Sequence, residues 1–359
     1  MWPYWLVSIA VAMVALKGRY YQVKYCRGPV LQQGFLWHLV LLVLTLFIGL
    51  RYEVGGDWIA YLDHLDSLRG ETLASGVGST DPAYGLMAWF GANVWGNIYF
   101  VNTVCALIFS WGLLVFCREQ PRPFLALMVA LPFFVLVVAM GYTRQSAAIS
   151  LGMIALTSLS QSRIYRFIFF VGLATLFHKT ALVLFSFALI LRSKNQLLSV
   201  AVIFGSAVLL YDFFLQEYTA SLFGGYIEAQ YHSSGGATRL LMNALPAAFF
   251  LLFRRQFKLS GSNCRLWTWV AVTALALLSL LFVVPSTTAL DRIGLYWAPL
   301  QIFVLSRVPD VIGRGAEKKI LVLFVIVYSL SVQFVWFFFA DHAFAWLPYR
   351  FWPLELLRS

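Results

Sequence analysis

Charge is what this chain has least of. Only 11% of its 359 residues are Asp, Glu, Lys or Arg, against 61% hydrophobic and 17% aromatic. A soluble surface needs far more polar side chains, so a soluble globular fold is excluded. The net charge of +11 has no soluble basic face to sit on, which excludes nucleic acid as a partner. Cysteine is scarce too. Cys26, Cys105, Cys117 and Cys264 form no Cys-x-x-Cys pair, and the topology below puts none outside, so neither disulfide nor metal site is expected. The chain also lacks a P-loop, a Rossmann fingerprint, a His-Glu-x-x-His helix, a Gly-x-Ser-x-Gly elbow and an Asp-x-Asp pair. Nucleotide hydrolysis and metal-held nucleotide sugars are therefore not in evidence, and no cofactor is expected.

What the chain does have is apolar runs from end to end. They predict an all-α, polytopic membrane bundle forming one transmembrane domain over residues 1–359, with about 12 spans. Trp5 to Leu16 reads as a retained first span, because no signal-peptide pattern precedes it. Lys17, Arg19, Lys24 and Arg27 place the next loop in the cytoplasm, by the bias that keeps basic residues inside. Gly34 to Leu50 then delivers Arg51 to the outer face. Two larger external loops follow from this phase, 51–97 and 212–238, and both termini fall outside. Ala83 to Trp95 is too short to cross a core of ~30 Å, and reads as an interfacial helix opened by Asp81-Pro82. Tyr165 to Leu191 is apolar except for His178-Lys179-Thr180, with basic residues at both ends. It reads as a helix pair turning at His178 near the outer face.

Arg51, Arg144, Arg239, Arg292 and Arg350 all land at external span ends, the face that basic residues normally avoid. Lys179, His178 and Asp57 join them there. Each arginine alone reads equally well as a side chain reaching for headgroups. Together they offer planar forks suited to phosphate oxygens, at the depth where a lipid-linked diphosphate would sit with its tail in the bilayer. His178 titrates near neutrality and is a candidate general base; the plainer reading is a histidine bonded to a turn carbonyl. Asp57, after Gly55-Gly56, is the other candidate base, or simply the N-cap of a helix from Trp58. Asp291 reads as the ion-pair partner that orients its neighbour Arg292. Trp58, Tyr61, Tyr142, Tyr226, Tyr231 and Tyr296 are candidate sugar-stacking rings, although aromatic belts explain most such residues.

This pattern resembles the EpsG-type, Wzy-like polymerases of bacterial surface polysaccharides. The resemblance rests on Arg51, Gly55 or Gly56, Asp57 and Tyr61; on Asp81-Pro82; on Arg144 before the small-residue stretch Gln145 to Leu156; on Phe177-His178 with Thr180-Ala181; and on Asp291-Arg292 with Tyr296. Trp58 and Asp81 depart from the family's usual Tyr and Glu without removing a charge.

The resemblance implies metal-independent glycosyl transfer at the outer face of a bacterial plasma membrane. The donor would be a glycan on undecaprenyl diphosphate, and the acceptor one lipid-linked repeat unit. Arg51, Arg144, Arg239, Arg292, Lys179 and Arg350 would hold diphosphate, and His178 or Asp57 would deprotonate the attacking hydroxyl. Implied partners are membrane lipids and a flippase and chain-length regulator of the same pathway. Three rival readings remain at this stage. A transferase using a lipid monophosphate sugar would centre on Asp57. A lipid-linked oligosaccharide flippase or exporter would carry charges mid-span. A membrane acyltransferase would rest on His178 alone.

Overall fold

In a computed structural model, the described residues are 1–18, 34–192, 205, 235–282 and 287–357. They form an all-helical membrane bundle with no strand among them; the one β-type pairing is an isolated antiparallel bridge between Arg51 and Phe351. Among the described residues, four helices are long and apolar enough to cross a membrane, and five apolar helices of 10–17 residues accompany them.

α1 (Trp2–Lys17) and α2 (Gly34–Gly49) open the bundle. The loop that follows folds into α3 (Trp58–Ser67), α4 (Leu73–Gly78) and α5 (Pro82–Phe90), the last continuing as a π-helical turn over Gly91–Trp95. These helices are short because their starts are written close together: Thr72 accepts a hydrogen bond from the Ser75 amide, and Pro82 occupies the first turn of α5. The short helix expected near Ala83 to Trp95 is thus present. Asn97 caps α6 (Ile98–Arg118) by accepting from the Tyr99 and Phe100 amides.

The centre of the bundle is built on close backbone approach. α7 (Pro123–Ala130) runs into a fully buried π-helix, Leu131–Ala139, and then α8 (Thr143–Ser160). α8 is rich in Ser, Ala and Gly, and nearly every residue on it is buried. A methyl group on Gly112 of α6 would lie 2.4 Å from the Ser150 carbonyl oxygen of α8. Without hydrophobic drive between lipid-embedded helices, such small-residue contact is what packs them. α9 (Ile164–Phe177) stops at His178, whose extended backbone leads into a 3-10 turn (Lys179–Leu184) and then α10 (Phe185–Arg192). The apolar run therefore breaks where the sequence indicated.

α11 (Gly236–Phe253), α12 (Gly261–Leu280), α13 (Thr287–Gly294), α14 (Pro299–Leu305), α15 (Val308–Val311) and α16 (Glu317–Phe339) complete the bundle. The chain then returns to the loop after α2. The Tyr52 amide donates to the Arg350 carbonyl at 3.0 Å, Trp352 to Leu50 at 2.9 Å and Gly55 to Ala345 at 2.9 Å. Trp346 Nε1 donates to the Leu136 carbonyl inside the π-helix at 2.7 Å. A strap from the last span thus clamps the loop 51–57 against the π-helix.

Ion pairs gather at opposite ends of the bundle. At one end Arg122 grips Asp310 with both forks, at 2.8 and 3.0 Å, and Arg307 donates to Gln120 and the Phe303 carbonyl. The other end holds the residues singled out above. Cys105 and Cys117 are buried free thiols and Cys264 is partly buried.

Candidate functional site

Three elements meet at Asp81, the residue that starts α5. Its Oδ2 lies 3.4 Å from His178 Nδ1 and 3.3 Å from Arg144 Nη1, and its Oδ1 accepts from the Lys179 amide at 3.1 Å. Arg144 also donates to Thr80 and lies over the Tyr84 ring, 5.9 Å from its centroid. The chain breaks at His178 because its extended conformation turns the next amide toward a carboxylate rather than up the helix. His178 and Asp81 are both buried, Arg144 about one-third exposed.

Burial lowers the His178 pKa below the usual imidazole value, against the pull of Asp81. For Asp81, burial pushes upward, but His178, Arg144 and the Lys179 amide outweigh it and hold the carboxyl below the usual range. The histidine is therefore neutral at neutral pH beside an ionised carboxylate. With Nδ1 turned to Asp81, Nε2 is left with no protein hydrogen bond among the described residues. This is the arrangement of a positioned general base.

Arg292 stands across the site. Its charge is felt by His178, Asp57 and Tyr142. Gln145 fixes its backbone by donating to the Arg292 carbonyl at 2.7 Å. The guanidinium itself makes no hydrogen bond or ion pair among the described residues, and it is only partly buried. Asp57 also faces Arg292 and Arg144, yet burial still pushes its carboxyl above the usual value.

Two expected roles need correcting. Asp57 occupies the N-cap position of α3, but its side chain makes no capping bond. Asp291 does not pair with its neighbour Arg292. It forms a bidentate contact with Arg239, 2.6 Å from Nε and 2.5 Å from Nη2. Adjacent residues on a helix point in different directions, so Asp291 and Arg292 serve separate partners.

The other predicted residues are distributed as follows. Arg51 is 1% exposed, and its guanidinium is spent inside the protein. It donates to the Val54 carbonyl at 3.0 Å, the Ile48 carbonyl at 2.7 Å and Thr143 Oγ1 at 2.8 Å, with Asn102 at 3.4 Å. Trp58 is buried beneath it, and Tyr296 is buried with its hydroxyl 3.1 Å from Thr180. Neither offers a ring face to a sugar here. Tyr61 packs beside Tyr84 with its hydroxyl at the Arg144 amide, and Tyr142 is partly exposed. Arg350 pairs with Glu53 at 2.7 Å on the exposed rim. Tyr226 and Tyr231, with most of the loop 212–238, lie outside the described residues.

Sequence reasoning missed Asp81 as a site residue, together with Thr80 and Tyr84. Asp81-Pro82 was visible, but as a helix start. The arrangement can take a proton at His178 Nε2 and offer Arg292 to an anion a short distance away.

Comparison with known families gives a match to the model described as EpsG family over residues 34–351. No curated protein and no solved structure matches the chain.

Proposed function

The chain belongs to the EpsG family, which marks it as a glycosyltransferase-like membrane enzyme of polysaccharide synthesis, and on that footing we propose that it is a glycan polymerase acting on lipid-linked diphosphates at the outer membrane face. The observation that carries this reading is the meeting of Asp81, His178 and Arg144 opposite the unpaired Arg292.

In the proposed reaction the acceptor is a repeat unit on undecaprenyl diphosphate. Its terminal hydroxyl gives its proton to His178 Nε2 while the oxygen attacks the anomeric carbon of the donor glycan. The bond from that carbon to the donor diphosphate breaks, and the diphosphate leaves with the electron pair. The products are a glycan one donor chain longer on the acceptor lipid, and undecaprenyl diphosphate. Asp81 keeps the proton of His178 on Nδ1 and stabilises the imidazolium that forms. Arg292 and Arg144 meet the charge building on the leaving group, a role for fixed cations in a low-dielectric site. Arg239 and Lys179 flank them. Asp57 faces the same two arginines and is the second candidate base. Arg51 is assigned a supporting role, tying the first loop to α8, and Tyr142 is the ring best placed to meet a sugar.

Among the described long spans, arginines occur near the ends, as Arg239 and Arg265 do in α11 and α12, rather than along a mid-span path. That favours a transferase over an exporter.

The test is to delete the gene and analyse surface glycan, then complement with wild type or His178→Gln. Loss of long chains with single-repeat glycan retained, restored by wild type and not by His178→Gln, supports the reading. Accumulation of repeat units on the cytoplasmic side would mean export instead.

A further inference from the structure

At the end of the bundle opposite Asp81, two connectors enclose a groove that the proposed reaction does not use. One connector is the 3-10 turn after α11, Arg254–Phe257 with Lys258; the other runs from α15 to the start of α16. The groove has a volume of about 690 Å³ and is lined by Phe253, Gln256, Lys258, Asp310, Ile312 and Arg314, among others.

Its charge is more positive than that lining suggests. Asp310 is already held by both forks of Arg122, and Lys318 approaches it at 3.4 Å. Glu317 caps the Arg314 amide at 2.9 Å. Lys258 and Arg314 are exposed and make no ion pair among the described residues. Lys258 also sits at φ +49°, the left-handed region that non-glycine residues rarely adopt.

Apolar surface continues away from the groove on both flanks. Leu252, beside Phe253, is 80% exposed. On α16, Ile320 and Phe324 are 68% and 64% exposed. They follow Glu317 at helical spacings of three and seven, so they continue its face down the helix. A soluble phosphate would need the cations alone. Cations at the mouth with aliphatic tracks running into the bilayer fit a molecule with an anionic head and two acyl chains.

We propose that this groove is a site for an anionic phospholipid of the leaflet opposite the catalytic cluster. Lys258 and Arg314 contact its phosphodiester, and its chains lie along Leu252 and the Ile320–Phe324 face. Charges at a membrane surface attract anionic lipid residue by residue, and two fixed in one groove add to each other. The proposal stands independently of glycosyl transfer.

The test uses the full chain in nanodiscs of phosphatidylcholine, with or without phosphatidylglycerol. Native mass spectrometry counts retained lipids, and thermal unfolding reports stabilisation. We expect wild type to retain phosphatidylglycerol about tenfold or more over phosphatidylcholine and to unfold at higher temperature in its presence. The double variant Lys258→Glu, Arg314→Glu should lose both effects and each single reversal should weaken them, whereas Lys319→Glu, one reversal of sign outside the groove, should keep them. No preference in wild type overturns the proposal, and so does equal loss in Lys319→Glu, which would mean diffuse surface charge. Equal stabilisation by inorganic phosphate in phosphatidylcholine alone also overturns it. If the double glutamate variant fails to accumulate, Lys258→Gln with Arg314→Gln replaces it and should lose both effects, and retention of the lipid preference in that variant overturns the proposal.

Discussion

Asp81 faces His178, Oδ2 to Nδ1 at 3.4 Å, although the two cap the ends of helices far apart in sequence. The distance is longer than a well-aligned hydrogen bond, as apo catalytic contacts often are before substrate closes them. Replacing Asp81 with Asn leaves the shape and removes the charge. His178 then loses the partner that raises its pKa, while the burial that lowers it remains. We expect Asp81→Asn to cut turnover by about 10²-fold, within the range for general-base catalysis. The acid limb of the pH–rate profile should move to lower pH, because the imidazole then stays neutral further down. A purely structural Asp81 would lower the amount of folded enzyme and leave the limb where it was.

Arg292 predicts the opposite balance of function and stability. Its guanidinium makes no hydrogen bond or ion pair among the described residues, so removing it orphans none of them. Arg292→Ala should fold with an unchanged melting temperature and lose about 10²–10³ in kcat, the usual cost of one fixed donor to developing charge. Measured in vesicles with a lipid-linked repeat unit, near-normal turnover would remove Arg292 from the leaving-group site.

Arg51 should behave in reverse. Every arm of its fork is committed to Ile48, Val54, Thr143 or Asn102. Arg51→Ala leaves two buried carbonyls without donors, at about 1–3 kcal/mol each. Lys cannot replace it, since an ammonium lacks the planar fork. Both variants should lower the melting temperature in detergent, with turnover per folded molecule falling less than in Arg292→Ala.

How far the site was legible follows from these residues. The arginines stand out in the sequence because the expected topology sets them on the face that basic residues normally avoid, and the break at His178 stands out because polar residues interrupt an apolar run. Which arginine is free does not. Arg51 and Arg292 both fall at expected span ends, and only the fold turns the first onto the Ile48 and Val54 carbonyls, Asn102 of α6 and Thr143 of α8. Asp81 looked like a helix start because Asp-Pro is one, and its second role depends on a contact between elements that no local spacing records. Asp291 was assigned to the wrong arginine because neighbours in sequence diverge on a helix. The strap after α16 was invisible for the same reason as Asp81: backbone pairing between the ends of the chain leaves no motif.

Gly55 tests that strap. It has φ +114°, and a Cβ there would lie 2.2 Å from the Met140 carbonyl oxygen, while its amide donates to Ala345. Gly55→Ala must move either the π-helix end or the strap. We expect more than ~1 kcal/mol of destabilisation, the usual result where the native backbone does not suit alanine, together with lost activity, since Asp57 follows two residues later. Melting temperature and turnover within experimental error of wild type would show that the loop is not clamped there.

Asp57 separates the two candidate bases. Burial raises its carboxyl above the usual value despite Arg292 and Arg144, so the folded protein holds that proton more tightly than the unfolded chain does. Stability is then lost as pH rises from the ordinary carboxylate pKa through the raised one, and the penalty persists at neutral pH. Asp57→Asn removes the titration. At neutral pH it should unfold at higher temperature than wild type, and the difference should close as pH falls through that window. If His178 is the base, the same variant keeps turnover within about tenfold of wild type, because a base contributes at least ~10². Its acid limb also stays in place. A fall as deep as that of His178→Gln, with the acid limb gone, would transfer the proton to Asp57 and leave His178 as a holder of Asp81.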